Sequence, residues 1–591
     1  MTDLDPITFA VVRNSLLSAA REMYTVFKRT TMLPVIYEYN DFGMSLYDDR
    51  LNLVADAPGL PLFVGSLNYC VEATLKEVGG PDTLEPGDVL LTNHPYLTAG
   101  QTADAAVIEP IFHGHRLVGY GALRAHMGDV GAKGPYPTDT TDIYQEGIIF
   151  PGVKLYAAGR LDDSVLRILR ANSRIPVETA GNVLAAVGAL RAGSRKLVAT
   201  IDKYGLETYY ATIDQANVQG ERAARAAIAA IPDGTYVCED FMDDNGVDSH
   251  PVKLRCSVTV RDSDIVVDVT GSDAEQRGPI NCPLGYTITT CKFALKRLIS
   301  ADLPANSGEH RPLSLIAPEG SLFNPRPPAP CFIGAWTSVR LSDMIIHALA
   351  EALPDIIPAQ NGGDLVTAVA YLRDGRSGKL SLWADGCALG HGGTSSSDGP
   401  SALVHPVEAG VETVPTEVLE ARMPLIVRRF ELLQDSGGPG TYRGGLGAEK
   451  EIEFLGSGEA VCVTDKAFHS TVRGLVGGLP APELNRITWF PGTERELQLG
   501  KRSGIAVGPG DVVVSRSAGG GGWGDTLKRD VDRVAADVLA GYVSVEKASE
   551  VYGVVFDEDG NVLPEETGRR RLALADARAD PGAQPGTPAA G

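Results

Sequence analysis

The chain has 591 residues, 43% of them hydrophobic and 22% charged, which is an ordinary globular composition able to bury several cores. Its formal net charge of −22 argues against nucleic acid or an anionic membrane surface as the main partner. The N-terminus has no signal-peptide pattern, and no apolar run reaches the ~18 residues of a membrane span, so we expect a soluble, cytoplasmic protein.

Cysteines are spread along the chain without a CxxC pair, which predicts reduced, buried thiols instead of disulfides or a zinc site. The eight positions are Cys70, Cys238, Cys256, Cys282, Cys291, Cys331, Cys387 and Cys462. Cys331 lies in an apolar stretch, and the chain contains no G-x-S-x-G motif, so the sequence gives little support to nucleophilic catalysis.

The first predicted element is a helix that Asp5 caps and Pro6 begins. Its apolar residues recur at helical spacing and predict one face turned to the core or to another subunit. These residues are Phe9, Val12, Leu16, Ala19, Met23 and Val26.

Short apolar runs alternate with turns over residues 41–149, which predicts strands of a mixed sheet. Residues 163–229 have a helical pattern, residues 234–269 return to strands with a hairpin at 261–264, and residues 287–300 predict another helix. Glycine-rich turns are frequent from residue 388 onward. The predicted fold is mixed α/β and multi-domain, with several mixed sheets and flanking helices.

We predict five segments with these boundaries. Residues 1–230 form an N-terminal α/β domain with the candidate site, and residues 231–385 form a mixed α/β domain. Residues 386–525 form a Gly-rich, β-dominated domain, residues 526–565 a C-terminal helical segment, and residues 566–591 a disordered tail.

The segment 93–129 places polar residues around turns between strand-like runs, where functional sites commonly lie. Asp104 precedes the run 105–108, and His126 closes the next run. If those strands are neighbours, the two side chains converge at one end of the sheet, where His94 and Asp129 could join them. Two histidines and two carboxylates suit Mn or Zn. The alternative is a hydrogen-bonded strand-end His126 and a turn-capping His94.

The glycine-rich loop 440–447 has two readings as well. Its backbone N–H groups could hold a phosphate with Arg443 as the counter-charge, or it could form tight β-turns. It lacks the G-x-x-x-x-G-K-[ST] order of a P-loop, and no kinase or ATPase motif occurs elsewhere. We therefore expect any ATP to be bound by a partner chain.

Several motifs, in their shared order along the chain, resemble the B-type subunit of the ATP-dependent hydantoinase, oxoprolinase and ketone carboxylase superfamily. The resemblance extends from Asp5 to about Val555. The motifs are D-P-I-T at 5–8, D-F at 41–42, P-G-D at 86–88, Y-Q-E-G at 144–147, D-D-N-G-V-D at 243–248, G-P-I-N at 278–281, P-E-G-S at 318–321, the glycine-rich segment 437–447 and G-G-G-W-G-D at 520–525.

The resemblance implies two-step chemistry in a hetero-oligomer. An A-type partner uses ATP to phosphorylate an amide or enolate oxygen, and the B-type subunit then completes the reaction. In the hydrolase branch water opens the activated lactam, and in the carboxylase branch an enol phosphate meets bicarbonate or CO₂. It leaves open whether further small subunits take part.

The chain departs from its relatives at four positions of the expected site. Gln101 stands where many relatives carry the His of H-L-P-D, and Met127 stands where they carry the second His of H-H. Phe63 replaces another His, and His94 stands where Asp is common. We predict that these four residues bind substrate. A divalent ion, Mn or Zn, would be held by His94, Asp104 and His126, with a metal-free site as the alternative.

The sequence favours carboxylation of a ketone with bicarbonate, because Phe63 and Met127 in place of histidines make the pocket more apolar. The predicted catalytic residues are His126 as the acid, base or oxyanion partner and Asp104 or Asp129 as the carboxylate that orients it. The alternatives are ATP-dependent hydrolysis of a cyclic amide, as in hydantoinases and oxoprolinases, and a scaffold that has lost its activity.

Overall fold

The computed structural model describes residues 4–57, 59–299 and 304–579, and it confirms the predicted mixed α/β fold with several sheets and flanking helices. The helices of these described residues are α1 Pro6–Thr30, α2 Pro34–Tyr37, α3 Pro61–Val64, α4 Leu67–Glu77, α5 Pro95–Thr98, α6 Asp163–Ala171, α7 Pro176–Tyr204, α8 Leu206–Ile228, α9 Leu284–Leu298, α10 Gly334–Ala348, α11 Thr416–Arg422, α12 Val531–Leu539, α13 Val545–Val551 and α14 Pro564–Ala579.

The strands of the same residues form four sheets. They are β1 Phe42–Asp48, β2 Leu53–Asp56, β3 Val89–Thr92, β4 Asp104–His113, β5 Arg116–His126, β6 Pro151–Ala157, β7 Arg160–Leu161, β8 Gly234–Met242, β9 Val252–Arg261, β10 Asp264–Asp268, β11 Leu313–Ile316, β12 Val366–Arg373, β13 Leu380–Cys387, β14 Leu425–Leu432, β15 Ala448–Phe454, β16 Ser457–Val463, β17 Arg486–Trp489, β18 Leu497–Leu499, β19 Lys501–Val507 and β20 Val512–Arg516.

The first helix forms as the sequence predicts. The Asp5 carboxylate accepts hydrogen bonds from the N–H groups of Ile7 and Thr8, both at 3.0 Å, and so caps the helix N-terminus. Its buried face contains Val12 and Met23 among others and packs against α7. Phe9 and Val26, predicted on the same face, are only partly buried.

The first sheet has the order β2-β1-β5-β4-β3-β6-β7, and each of its neighbouring pairs is antiparallel. The prediction of a mixed sheet over residues 41–149 is therefore wrong in strand direction. Short turns join three of its six pairs, β1-β2, β4-β5 and β6-β7, and such turns connect antiparallel neighbours, whereas a parallel pair needs a long crossover. Helix α7 packs against β4 and β5, and α4 packs against β1, β5 and β6.

The second sheet is mixed, with the order β11-β10-β9-β8 and β10 parallel to β11. The predicted hairpin at 261–264 is present between β9 and β10. The other two sheets, β13-β12-β16-β19 and β14-β15-β20-β17-β18, are antiparallel throughout their described pairs.

Glycine-rich loops of the C-terminal half pack backbone against backbone. A Cβ added at Gly444 would lie 1.9 Å from the carbonyl oxygen of Gly520, and a Cβ at Gly520 would lie 1.9 Å from that of His391. Only glycine permits such an approach. The Arg443 guanidinium is buried against Asp537, with 3.4 Å between Nε and Oδ2. These contacts favour the tight-turn reading of this loop over a phosphate cradle.

The hydrophobic clusters cross two of the predicted domain boundaries. The largest cluster contains both Ile228 and Ile231, so the segments 1–230 and 231–385 share one core. A second cluster joins Val366 to Val513, because β12 pairs with β16. Strands β12 and β13, which begin in the second predicted domain (231–385), therefore pack in the core of the third (386–525).

The chain end also differs from the prediction. Residues 566–579 belong to α14, whose Arg571 donates to the carbonyl of Arg529 at 2.7 Å and whose Arg578 pairs with Asp525 at 3.0 Å. These bonds order a segment that its composition assigned to a disordered tail, and the rest of that predicted tail lies outside the described residues.

All eight cysteines are free and buried, as their spacing predicts. Among the described helices, none combines the length and apolar character needed to cross a membrane.

Candidate active site

The pairing of β4 with β5 places Asp104 directly opposite His126 at one end of the first sheet. The Asp104 Oδ1 atom lies 3.3 Å from His126 Nδ1 and accepts a hydrogen bond from Gln101 Nε2 at 3.0 Å. The Tyr286 hydroxyl donates to Asp104 Oδ2 at 3.3 Å. Asp104 is fully buried, and Gln101 and His126 are 6% exposed. The structure thus brings Asp104 and His126 together as the strand pattern predicted.

The two ring nitrogens of His126 have different surroundings. His126 Nδ1 lies 3.3 Å from Asp104 Oδ1 and 3.1 Å from Gln101 Nε2, and no described residue makes a hydrogen bond to Nε2. Because a carboxylate can only accept, a hydrogen bond to Asp104 requires the proton on Nδ1, and this tautomer leaves Nε2 for a substrate or water. Burial lowers the pKa of His126, but the hydrogen bond with Asp104 and the charges of Asp41 and Asp104 raise it above its usual value. Burial raises the pKa of Asp41 to about 6, although the charge of His126 opposes this rise.

A buried arginine on β5 supports the turn before β4. Arg124 Nη1 donates to the carbonyl oxygens of Thr98 and Ala99, both at 2.6 Å, and its guanidinium carbon lies 3.9 Å from the centre of the Phe63 ring. These contacts fix the turn that carries Gln101 and give Phe63 a cation–π partner. Arg124 therefore acts as a support for the site.

His126, Gln101 and Asp41 line one cavity of about 170 Å³. Most of its wall is apolar or aromatic, with contributions from residues 33–136, from 286–336 and from 365–423. The large side chains in the wall include Phe63, Tyr136, Tyr286, Trp336, Leu382 and Trp383. A mostly apolar cavity with a few converging polar groups is the usual form of a small-molecule site.

Tyr136 lies between the histidine and the aromatic wall. Its ring centre is 6.2 Å from that of His126, 4.9 Å from that of Phe332 and 5.8 Å from that of Trp336. Burial raises the pKa of the Tyr136 phenol well above its usual value. The phenol therefore stays protonated and can donate a hydrogen bond into the cavity.

Phe63 and Gln101, predicted to bind substrate, both line the cavity, whereas Met127 does not. Met127 is buried in the core, and its N–H donates to the carbonyl of Ala103 at 2.7 Å. It follows the last residue of β5, and consecutive residues of an extended chain point to opposite sides. The prediction that Met127 shapes the pocket is corrected accordingly.

Asp129 and His94 also lie outside the cavity wall. The Asp129 carboxylate pairs with Arg174 at 2.8 Å and accepts the N–H of Gly131 at 2.9 Å, so it anchors a turn. His94 caps α5, with its Nδ1 accepting the Tyr96 N–H at 3.3 Å. The prediction that His94 and Asp129 join Asp104 and His126 in one site is thus corrected. His94 instead caps a turn, which was the alternative interpretation of the sequence.

The predicted metal ligands do not form a common site. Among residues 4–57, 59–299 and 304–579, no group of three or more His, Cys, Asp and Glu side chains is arranged to hold an ion. His94 is engaged at its own turn, while the near atoms of Asp104 and His126 bond to each other and to Gln101. The set His94, Asp104 and His126 does not fit Mn or Zn in this arrangement.

No site role was predicted from the sequence for most of the cavity wall, including Asp41, Tyr136, Tyr286, Trp336 and Glu408. Asp41 had a usable signal, since it precedes β1, the neighbour of β5, and its carbonyl accepts the His126 N–H at 3.2 Å. Tyr136 follows His126 closely in sequence but lies in an irregular loop, and the others lie far along the chain. No local spacing connects any of them to His126.

The chain is similar to known proteins over nearly its whole length. The model of the hydantoinase B/oxoprolinase family matches residues 5–526. A Pseudomonas sp. (strain NS671) protein, provisionally named as the B component of a D-/L-hydantoinase, is 32% identical over 96% of this chain and 98% of its own length.

Two solved structures share the fold. The crystal structure of the ATP-dependent caprolactamase from Pseudomonas jessenii is 27% identical, with a TM-score of 0.88 over 97% of this chain and 100% of that chain. A nucleotide-free acetone carboxylase structure also has a TM-score of 0.88, covering 97% of this chain and 83% of its own, and is 19% identical, a likeness of fold alone.

Proposed function

Because the chain belongs to the hydantoinase B/oxoprolinase family, we propose that it is the B-type subunit of an ATP-dependent enzyme. In this proposal an A-type partner binds ATP and activates the substrate, and this chain completes the reaction in its cavity. Two observations support the division of labour: the similarity to a protein named as the B component of a hydantoinase, and the absence of a P-loop, kinase or ATPase motif from the sequence.

We propose that the completed reaction is the hydrolytic opening of a small, largely apolar cyclic amide such as a lactam or a hydantoin. The observation that carries this proposal is the buried His126–Asp104 pair, whose Nε2 is left for a water at one end of an apolar cavity. The similar proteins above 25% identity, named as a hydantoinase component and a caprolactamase, support hydrolysis over the carboxylation that the sequence favoured.

The mechanism uses the partner's phosphorylation of the amide oxygen, which makes the amide carbon a better electrophile. His126 Nε2 takes a proton from a water as the water oxygen bonds to that carbon. Asp104 holds the ring in the tautomer with Nδ1 protonated and stabilises the imidazolium that forms. Gln101 and Tyr286 fix the Asp104 carboxylate through their own hydrogen bonds, so the base stays oriented.

Carboxylation of a ketone with bicarbonate is the second candidate. One observation favours it: Phe63 and Gln101 line the cavity at positions where the resemblance implies metal-binding histidines. The aromatic wall around Trp336 and Trp383 would suit an aryl or alkyl ketone as well as a lactam.

The experiment that separates the two candidates uses this chain reconstituted with its A-type partner. The complex receives ATP with a panel of lactams and hydantoins, or with a panel of ketones and labelled bicarbonate. ATP-dependent opening of a ring supports the hydrolase. Label in acid-stable product, with the cyclic amides untouched, would replace it with the carboxylase.

A further inference from the structure

Three carboxyl side chains lie in the wall of the same cavity, those of Asp41, Asp385 and Glu408. Glu408 lines it together with Asp41 and His126, and it comes from the 3-10 turn Pro406–Glu408, far from the first sheet in sequence. Asp41 lies close enough to interact electrostatically with both His126 and Glu408. The cavity therefore contains a titratable group, Glu408, that the His126 mechanism does not use.

Glu408 lies beside a second buried carboxyl group, that of Asp364. The buried atoms Glu408 Oε2 and Asp364 Oδ2 have no hydrogen-bond donor among the described residues, while Asp364 Oδ1 accepts the Leu365 N–H at 2.7 Å. Two buried carboxylates side by side cannot both be ionised. A single proton shared by Glu408 Oε2 and Asp364 Oδ2 therefore gives both oxygens a hydrogen-bond partner. Burial raises the pKa of Glu408 well above its usual value, and the charge and hydrogen bond of Asp364 raise it further.

The turn that carries Glu408 is held by a second buried histidine. The Glu408 N–H donates to the carbonyl of His405 at 2.8 Å, and His405 Nδ1 accepts the Val407 N–H at 3.1 Å. His405 Nε2 lies 3.0 Å from Asp343 Oδ1, and both residues are buried. The position of Glu408 is thus fixed by the fold before any ligand arrives.

We propose that Glu408 is a further catalytic residue, the general acid that protonates the ring nitrogen, and that Asp364 is its positioning residue. This inference rests on the proposed hydrolysis of a cyclic amide. As the water oxygen bonds to the activated carbon, the water gives one proton to His126 Nε2 and keeps the other. The π electron pair of the carbon–nitrogen bond moves to nitrogen, which takes the proton of Glu408.

The two groups then have complementary protonation states at the start of the reaction. His126 must be neutral to accept a proton, and Glu408 must be protonated to donate one, which is the usual division between a general base and a general acid. After the addition His126 holds the extra proton and the Glu408–Asp364 pair has lost one. The tetrahedral product of this addition then collapses: its hydroxyl gives its proton to the Glu408–Asp364 pair as the carbon–oxygen π bond forms, and the carbon–nitrogen σ bond breaks as nitrogen takes the proton of His126. The ring is then open and both groups have returned to their starting protonation states. The phosphoryl group remains on the new carboxyl as an acyl phosphate, which a second water cleaves to carboxylate and phosphate.

Few charged groups face this pair, so its titration can be followed. Asp364 and Asp41 face Glu408, and His405 and Asp465 face Asp364. Helix α3, which packs on the 406–408 turn, carries no titratable side chain. Removing the Asp364 charge and hydrogen bond would lower the pKa of Glu408, so the acid would lose its proton at a lower pH.

The test compares the variants Glu408→Gln and Asp364→Asn with the control Glu412→Gln in the reconstituted complex. Glutamine has the shape of a protonated glutamate and can donate to Asp364, so Glu408→Gln keeps the fold and removes only the transferable proton. Glu412 is close in sequence, exposed, and paired with Lys28 on the surface. Ring opening, ADP release and melting temperature are measured for each, with a pH–rate profile for Asp364→Asn.

We expect Glu408→Gln to lower the rate of ring opening by about 100-fold or more while the partner still consumes ATP. We expect Asp364→Asn to move the alkaline limb of the profile to lower pH, and Glu412→Gln to behave as wild type. Ring opening by Glu408→Gln at the wild-type rate would overturn the role of Glu408 but not the proposed hydrolysis. An alkaline limb of the pH–rate profile that stays in place in Asp364→Asn would do the same. A wild-type complex that opens no cyclic amide would overturn the proposed function and this inference with it.

Discussion

His126 differs from the other histidines of the chain in having one nitrogen fixed by a buried carboxylate and the other left to a cavity. A neutral imidazole in this setting can take a proton only at Nε2, which gives the proposed base a direction. The same carboxylate holds the ring against rotation, because Asp104 is itself fixed by Gln101 and Tyr286. Base strength and position therefore depend on the same set of contacts.

Replacing His126 with alanine should abolish product while leaving the ATP consumption of the partner largely intact. We expect product formation to fall by about 100-fold to 10,000-fold, the usual contribution of a general base. The matched control is His113→Ala, which removes a partly exposed histidine from the other end of β4. Equal loss of ATP consumption and product in His126→Ala would contradict a role confined to the second step.

Replacing Asp104 with asparagine should shift the pH profile in a defined direction. The carboxylate raises the pKa of His126 against the opposing effect of burial, so its loss should lower that pKa. The base becomes neutral at lower pH, and the acid limb of kcat/KM should move to lower pH as the overall rate falls. An acid limb that stays in place or moves to higher pH would show that Asp104 does not set the protonation of His126.

Sequence reasoning reached part of this arrangement at the residue scale. Asp104 and His126 were predictable because each borders a strand-like run and the two runs are joined by a short turn. Glu408 and Trp336 were not, since they approach the histidine only through the packing of distant segments. Tyr136 was not, because it lies in an irregular loop after β5 whose path no local spacing predicts. The substitution of Gln101 for a histidine was visible in the sequence, but its bonds to Asp104 and His126 required the structure.

At the scale of elements, the register of one hairpin determines the site. The turn between His113 and Arg116 sets the pairing that ends with Asp104 opposite His126, with one irregularity at Ile111 and Phe112. A slip of one residue would turn either side chain to the opposite face of the sheet. The buried guanidinium of Arg124 then fixes the adjoining turn from the same strand.

The glycine loops offer a prediction at the same scale. Gly444→Ala should destabilise the protein by about 2 kcal/mol or more, because the new Cβ meets the Gly520 carbonyl. Gly375→Ala is the matched control, since a Cβ there meets nothing within 4 Å. Thermal melts of both variants check this expectation, and equal melting temperatures would show that the close packing of these loops relaxes without cost.

Element types were predictable because they depend on local spacing, whereas strand direction and sheet order depend on contacts between distant segments. The helix at Pro6 and the hairpin at 261–264 follow from a cap and from alternating residues. The antiparallel first sheet and the pairing of β12 with β16 do not follow from any local pattern. The predicted domain boundary at residue 385 is misplaced for the same reason, because the strands on its two sides share a core through contacts between distant segments.

At the scale of the whole molecule, the cavity depends on segments separated by more than two hundred residues along the chain. The histidine end comes from residues 33–136, and Trp383 and Glu408 come from the C-terminal half. The glycine loops that could have cradled a phosphate are occupied by their own packing. Their packing is compatible with the proposal that a partner subunit binds ATP.

The isolated chain should therefore neither hydrolyse ATP nor open a cyclic amide, and both activities should appear when the A-type partner is added. Titrating this chain into a fixed amount of partner, with ADP and ring-opened product followed together, checks the expectation. Sustained ATP turnover by the purified chain alone would contradict the proposed division between the two subunits.

The most direct test of the proposed reaction is mass spectrometry of the product formed by the reconstituted complex in ¹⁸O-labelled water with ATP and a lactam or hydantoin. With the wild-type chain we expect a ring-opened product whose carboxylate carries ¹⁸O. With His126→Ala we expect ADP to form without that product. Ring-opened product at the same rate from both chains, or incorporation of labelled bicarbonate into a ketone in place of ring opening, would contradict the proposed reaction.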